Sequence, residues 1–341
     1  MILILCSKMI LKLLLIKDKL MKTFFLFIVL MRALAAILIT NAHYTGVYPT
    51  DLIANGGLLG DVLFFAVSGF CLANTNVNFG RWYLRRFIRI YIPVWLITVI
   101  YMILGAYVLS YPREIVEFFI WPTHWHFVAS IILLYIPLYF VVKHIEFNTK
   151  NYTRLAGAVF LLQLLLYFTI YDRSYYHIDN VREPMIEFLF FQSMLLGLHF
   201  RWETTQNDGR HKEVKISNLV YLLALFIIYF TSKVLFVKLP QISEFQITNQ
   251  VLLLGGATFL FKIFINIEKR LAVYATKPYW KVVTFIADRT LEIYLVQYVI
   301  LDYLKIGPFP MNWLLLTVTI VIGASFLRWL SQKIISKINF V

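Results

Sequence analysis

Three stretches of this chain, Val220 to Phe230, Val251 to Phe261 and Trp313 to Phe326, carry no charged residue at all. Runs of this kind, repeated along the chain, suit helices of ~20 residues that face lipid rather than water. Across all 341 residues, 60% are apolar and 15% charged, where soluble domains are roughly a quarter charged. A water-soluble fold has no place for so much apolar surface. A membrane β-barrel would instead show short alternating segments. The expectation is therefore an all-α integral membrane protein.

Ten apolar segments are predicted as spans, at 24–42, 57–76, 88–109, 126–142, 155–171, 184–200, 217–234, 248–266, 282–304 and 311–329. Lysine and arginine test this map, because the loops on the cytoplasmic side of a membrane carry the excess of both. Of the 32 such residues, 24 fall on one side of the predicted bundle and six on the other, while Arg32 and Arg289 fall inside spans. The alternation predicts a bundle of about ten transmembrane helices with both termini in the cytoplasm. It also accounts for the net charge of +14 without nucleic acid, since the basic residues sit in short clusters between apolar runs.

Residues 1–22, with a lysine every few positions, read as a cytoplasmic amphipathic lead or an over-extended start, and 23–341 as a single transmembrane domain. Cys6 and Cys71 are the only cysteines, which leaves no disulfide framework and no thiolate metal site. Pro93, Pro137 and Pro184 are expected near span ends, where a missing backbone donor is least costly. No internal repeat is visible, no loop is long enough to fold by itself, and no span is expected to be broken at its middle. Whatever the protein does, it does inside the bundle. The wealth of Ile, Lys, Phe, Tyr and Asn is that of an AT-rich bacterial source, in which such a chain would sit in the cell membrane.

Charges at bilayer depth are costly and therefore informative. Arg32 lies about eight residues into the first span, roughly 12 Å deep, and His43 follows eleven positions later, roughly 16 Å further on. Asp61 opens the returning second span and is placed near the same outer end, where a carboxylate beside an imidazole would orient a general base. Ser68 and Gly69 would admit a helix or a ligand closely. Arg85, Arg86 and Arg89 stand at the entrance to the third span, and the last two share a helical face able to clamp a phosphate. His124, Trp125 and His126 open the fourth span; sugars stack on aromatic faces of this kind. Each has a plainer reading: Arg32 snorkelling to headgroups, His43 at the interface, Asp61 as a helix cap, the arginine trio as a topological anchor, and His124 to His126 as part of an aromatic belt. A metal site at His124 and His126 is not expected, because no third ligand lies nearby. Arg289 and Glu292, three apart, read as a structural ion pair.

Taken in order, Arg32-x10-His43, Gly60-Asp61-x-x-Phe64-Phe65-x-x-Ser68-Gly69-Phe70 and Arg86-x-x-Arg89-Ile90 before a proline resemble the membrane acyltransferase-3 family. His124-Trp125-His126-Phe127, Leu195-Leu196-Gly197 and the helix from Leu291 through Tyr294 to Gln297 resemble later segments of it, so the likeness covers nearly the whole chain. Two positions depart from the family pattern: Thr290 stands where serine is common, and Gln297 where histidine is common.

The resemblance implies an O-acyltransferase that takes an acyl group, usually acetyl, from cytoplasmic acetyl-coenzyme A as donor substrate, with no permanently bound cofactor. The acceptor would be a hydroxyl of a cell-surface or lipid-linked polysaccharide. In that scheme Arg32, Arg85, Arg86 and Arg89 hold the polyanionic donor and His43 with Asp61 form the catalytic base. His124, Trp125, His126, Tyr294 and Gln297 line the acceptor side. Membrane lipids, acyl-coenzyme A and a glycan are the expected partners, and nucleic acid is not. A multi-pass transporter or flippase of a glycan precursor is the rival class, disfavoured by the missing inverted repeat and the lack of a broken helix.

Overall fold

The computed structural model describes residues 25–206, 213, 215–304 and 307–338, so the N-terminal lead at 1–22 lies outside the described residues. All regular structure among these is helical. The elements are α1 (Leu26–Ala42), α2 (Gly57–Cys71), α3 (Phe79–Ile103), α4 (Pro112–Ile115), α5 (His126–His144), α6 (Thr149–Thr169), α7 (Pro184–Gln206), α8 (Ile216–Lys238), α9 (Ile247–Asn266), α10 (Glu268–Tyr274), α11 (Trp280–Ala287), α12 (Thr290–Tyr303) and α13 (Met311–Ile335). Six stretches, α3, α6, α8, α9, α13 and Thr123–His144 around α5, are long and apolar enough to cross a membrane. This is a multi-pass membrane protein.

The helices that carry Arg32 and Asp61 are shorter. At 1.5 Å per residue, the 17 residues of α1 and the 15 of α2 make rods of roughly 26 and 22 Å, less than the ~30 Å of a bilayer core. They lie inside the bundle, α2 packed most extensively against α7 and α1. Backbone makes that packing: a Cβ on Gly69 would stand 2.0 Å from the carbonyl oxygen of Met194, and one on Gly197 would stand 1.8 Å from that of Ala66. Only glycine permits such an approach, the small-residue solution to helix contact where lipid supplies no hydrophobic drive. Phe65 stacks on Phe190 at 4.2 Å across the same seam. The start of α1 is capped from far along the chain. The Glu268 carboxylate accepts from the amides of Leu26 at 2.8 Å and Phe27 at 2.7 Å, closing donors that a helix leaves open and opposing its dipole.

Several boundaries move from the sequence expectation. The third span, predicted over 88–109, is helical from Phe79, where the Asn78 side chain caps it by accepting from the Arg81 amide at 3.3 Å. Pro93 is consequently interior to α3, and Pro137 is interior to α5; only Pro184 sits at a helix end. Neighbouring helices can satisfy the backbone groups such prolines release. The segment at 282–304 is two helices, α11 and α12, interrupted at Asp288 and Arg289, contrary to the expectation of unbroken spans. Two adjacent charges inside an apolar run are the physical reason. Arg328 of α13 donates to the Asp288 carbonyl exposed by the break.

Candidate active site

Two clusters of polar side chains occupy opposite ends of α1. At the end nearer its start, Arg32 shares a cavity of about 220 Å³ with Phe25, Phe70, Cys71 and Arg201. The Arg201 guanidinium sits 4.7 Å from the centre of the Phe25 ring and 5.3 Å from that of Phe70. Aromatic faces of this sort hold a guanidinium without neutralising it. Arg86, in the second turn of α3, is fixed by Trp82: its Nη1 donates to the Trp82 carbonyl at 2.7 Å and its guanidinium lies 3.7 Å over the indole ring. The buried hydroxyl of Tyr135 stands beside Ser68, within electrostatic reach of both Arg86 and Arg32. Arginines from α1, α3 and α7 thus converge around the end of α2. Arg85 and Arg89, on the same helix as Arg86, are exposed.

One acidic group enters this neighbourhood. Glu292 is buried and pairs with Arg328 at 3.8 Å, not with Arg289 as the three-residue spacing suggested. Arg289 instead donates to Ser325 at 3.2 Å and to the Phe285 carbonyl at 3.1 Å, and stacks on the Phe285 ring. The helix break turns its side chain away from the first turn of α12.

At the other end, His43 directly follows α1 and its imidazole meets the edge of Tyr298 at 4.7 Å. Tyr298 lies 5.4 Å from Tyr294 and 5.6 Å from Trp125. Phe127 packs 5.1 Å from Tyr294, and His124 sits 4.8 Å from Tyr107 and 5.2 Å from Trp125. The expected residues His43, His124, Trp125 and Tyr294 therefore form one aromatic vestibule. His126, at the first position of α5, lies within electrostatic reach of Arg182, as do His124 and Tyr298.

Asp61 is buried in the second turn of α2, too far into the helix to cap it. Gly57 packs against Ala42 and Gly60 against Ile39 and Ala35, a register that sets Asp61 roughly 8 Å deeper along α1 than His43. Among the described residues no hydrogen bond joins the two. Asp61 lies within electrostatic reach of Tyr294 and Tyr298, whereas the carboxylate within electrostatic reach of His43 is Asp302.

Between the clusters, polar atoms are left without partners. Both side-chain atoms of Gln297 are buried and unbonded, as are the hydroxyls of Thr40 and Thr98 and the indole nitrogen of Trp125. Burying such groups unpaired costs about 1–3 kcal/mol each, and these stand on α1, α3 and α12 and on the turn before α5.

The family model described as an acyltransferase domain, that of the acyltransferase-3 family, matches residues 25–329. The chain belongs to the acyltransferase-3 family. No curated protein and no solved structure matches it. The protein is accordingly a membrane acyltransferase. The matched span contains every candidate residue named above, from Arg32 to Arg328.

For this acyltransferase the sequence passed over three residues that the fold makes prominent. Arg201 read as one of several loop charges because it follows an apolar run; only the packing of α7 on α2 brings it to Arg32. Asp302 and Arg182 lie at the edges of apolar segments, and no spacing ties either to His43 or Tyr298. The arrangement sets guanidinium groups, which can bind anions, at one end of α1 and an imidazole, which can take a proton, at the other.

Proposed function

We propose that this membrane acyltransferase moves an acetyl group from cytoplasmic acetyl-coenzyme A to a hydroxyl of a cell-surface or lipid-linked polysaccharide. The observation that carries this reading is the polarity of α1: Arg32, with Arg86 and Arg201, gathers at one end of a helix whose other end presents His43 to an aromatic vestibule. The lysine and arginine distribution supports placing the arginine end in the cytoplasm and His43 toward the outer face, in the cell membrane of a bacterium. Ten apolar segments would then cross the membrane, the ninth as the pair α11 and α12, with both termini inside.

The phosphates of coenzyme A bind Arg32, Arg86 and Arg201, with Arg85 and Arg89 on the approach. The pantetheine arm runs toward Gln297, Thr98 and Thr40, whose unpaired atoms match its amide groups. At the vestibule the acceptor hydroxyl gives its proton to His43 as its oxygen attacks the thioester carbonyl. The carbon–sulfur bond breaks, and the imidazolium returns the proton to the departing thiolate. Asp302 stabilises the imidazolium; Asp61 acts at one remove, setting the tyrosine pair. His124, Trp125, His126 and Tyr294 hold the acceptor sugar by stacking and hydrogen bonding.

Purified protein incubated with acetyl-labelled coenzyme A and cell-envelope glycan is expected to release free coenzyme A only when glycan is present. Full transfer by a folded His43→Ala protein would end the base assignment. Undiminished coenzyme A binding by both Arg86→Ala and Arg89→Ala would remove the phosphate clamp from α3. Movement of intact glycan without acetyl transfer would favour transport, the class to which a broken helix also belongs.

A further inference from the structure

A second polar assembly lies one helix away from His43 and has no part in the scheme above. It borders a cavity of about 440 Å³ between the end of α1, residues 54–59 and the face of α8, a size within the ~300–1,000 Å³ of small-molecule sites. Asp179 stands at its wall. One oxygen of that carboxylate, Oδ2, accepts from the hydroxyl of Tyr176, from the hydroxyl of Tyr229 at 2.7 Å and from the Lys233 ammonium at 3.2 Å. Tyr176 in turn accepts from the Asn249 amide at 2.8 Å, and the Asn249 oxygen accepts from Ser232 at 2.6 Å. The other carboxylate oxygen, Oδ1, is buried and has no partner. Three elements of the fold, the loop before α7 and helices α8 and α9, therefore cooperate to hold this carboxylate, whose Oδ1 is left without a hydrogen bond.

The remaining wall is built with similar care. Asn41, two residues before His43, donates to the carbonyls of Ile53 at 2.7 Å and Asn55 at 2.9 Å, which holds the segment before α2 in place. Phe226, Tyr229 and Phe230 present aromatic surface from α8.

We propose that this cavity binds a neutral, polyhydroxylated part of the acceptor, one or two sugar rings, with the Asp179 side chain turning its unpaired Oδ1 out of its buried position to accept a sugar hydroxyl and the α8 aromatics stacking on a ring face. The inference rests on the acyltransferase reading for the identity of the ligand as acceptor, and on the geometry alone for its chemistry. Lys233 already balances the carboxylate, so a cationic ligand gains no charge compensation, and an anion would meet Asp179. A bare alkyl chain would leave the bonding network without a use. A hydroxyl, which donates one hydrogen bond and carries no charge, fits what is left. Leu38 and Ala42 face the cavity while His43, the next residue, turns about 100° around the axis. A glycan held here has its neighbouring sugar within reach of the imidazole, and binding energy from the non-reacting part helps to place the hydroxyl.

The test uses the full-length protein in a detergent without a sugar headgroup and two photo-crosslinkers that carry the same diazirine alkyl chain, one headed by glucose and one by phosphocholine. The expected result is that the glucoside labels residues 54–59 and α8 at least about tenfold more than the phosphocholine probe. Labelling should fall about tenfold in Asp179→Asn, the effect of one lost hydrogen bond to a charged acceptor. Ala54→Trp, which fills the cavity and leaves the Asp179 network intact, guards against misfolding of the first variant and should lower labelling equally. Equal labelling by both probes would make this a lipid-tail cavity and overturn the proposal, as would glucoside labelling unchanged in the folded Ala54→Trp protein. His43→Ala should label like the wild type. Labelling that behaves as expected in a protein that transfers no acetyl would overturn the reaction and leave the sugar site standing.

Discussion

Helices α6 and α8 and the pair α1 and α2 solve the problem of being in a membrane in opposite ways. Along α6 and α8 only Gln163, Tyr167, Leu222, Tyr229 and Phe236 are buried, and much of the remaining surface of each long apolar helix is left for lipid. In α1 and α2, most residues are buried, and the helices are too short to span alone. The outer pair is what hydropathy detects most readily, and the inner pair carries Arg32 and Asp61, with His43 directly after α1. Helices shielded from lipid can afford an arginine, an aspartate and a histidine, because neighbouring side chains replace the water that lipid cannot supply.

Substitutions on the two pairs should therefore diverge, most of all at the backbone contact between α2 and α7. Gly197→Val is expected to abolish folded protein, read as loss of the monodisperse peak in size-exclusion chromatography, since its first carbon would overlap the Ala66 carbonyl. Next in size is His43→Ala, for which acetyl transfer should drop about 10²–10⁴-fold while the melting temperature holds; a drop in both would move His43 from chemistry to packing. Arg201→Ala should weaken coenzyme A binding about tenfold or more, as expected for a lost charge-assisted contact, measured by calorimetry, and unchanged affinity would remove it from the donor site. Gln297→Leu offers the sharpest split: transfer should fall while thermal stability stays level or rises, because an unpaired buried amide is removed. Smallest is Leu161→Ala on α6, a side chain 68% exposed, where stability should move by no more than about 0.5 kcal/mol. A large loss there would mean that α6 is covered by another protein surface.

Much of the frame was legible in the chain. Each of the ten apolar segments corresponds to helix, and the bounds of α6, α8 and α9 lie within a few residues of prediction except for the earlier start of α6 at Thr149. Arg32 and Arg86 were singled out from sequence, and so were His43, Trp125 and Tyr294, because polar or interfacial residue types in apolar surroundings are conspicuous locally. Arg201, Asp302 and Arg182 were not conspicuous. Each lies at the edge of an apolar segment, where a charge is the ordinary expectation, and its importance depends on which helix end it meets. The break at Asp288 and Arg289 did have a local signal, two adjacent charges, which a long apolar run on either side concealed.

By itself, then, the sequence determined that this protein is a helical membrane acyltransferase, since hydropathy and motif order are properties of residues taken along a line. The tertiary structure decided which charges share a site. It paired Glu292 with Arg328 across two helices, set Arg201 beside Arg32, separated Asp61 from His43 by more than a helical turn, and built the Asp179 network from one loop and two helices. The physical reason is that helix ends and helix faces meet according to packing, and the closest packing here depends on two glycines, Gly69 and Gly197, that allow backbones to touch.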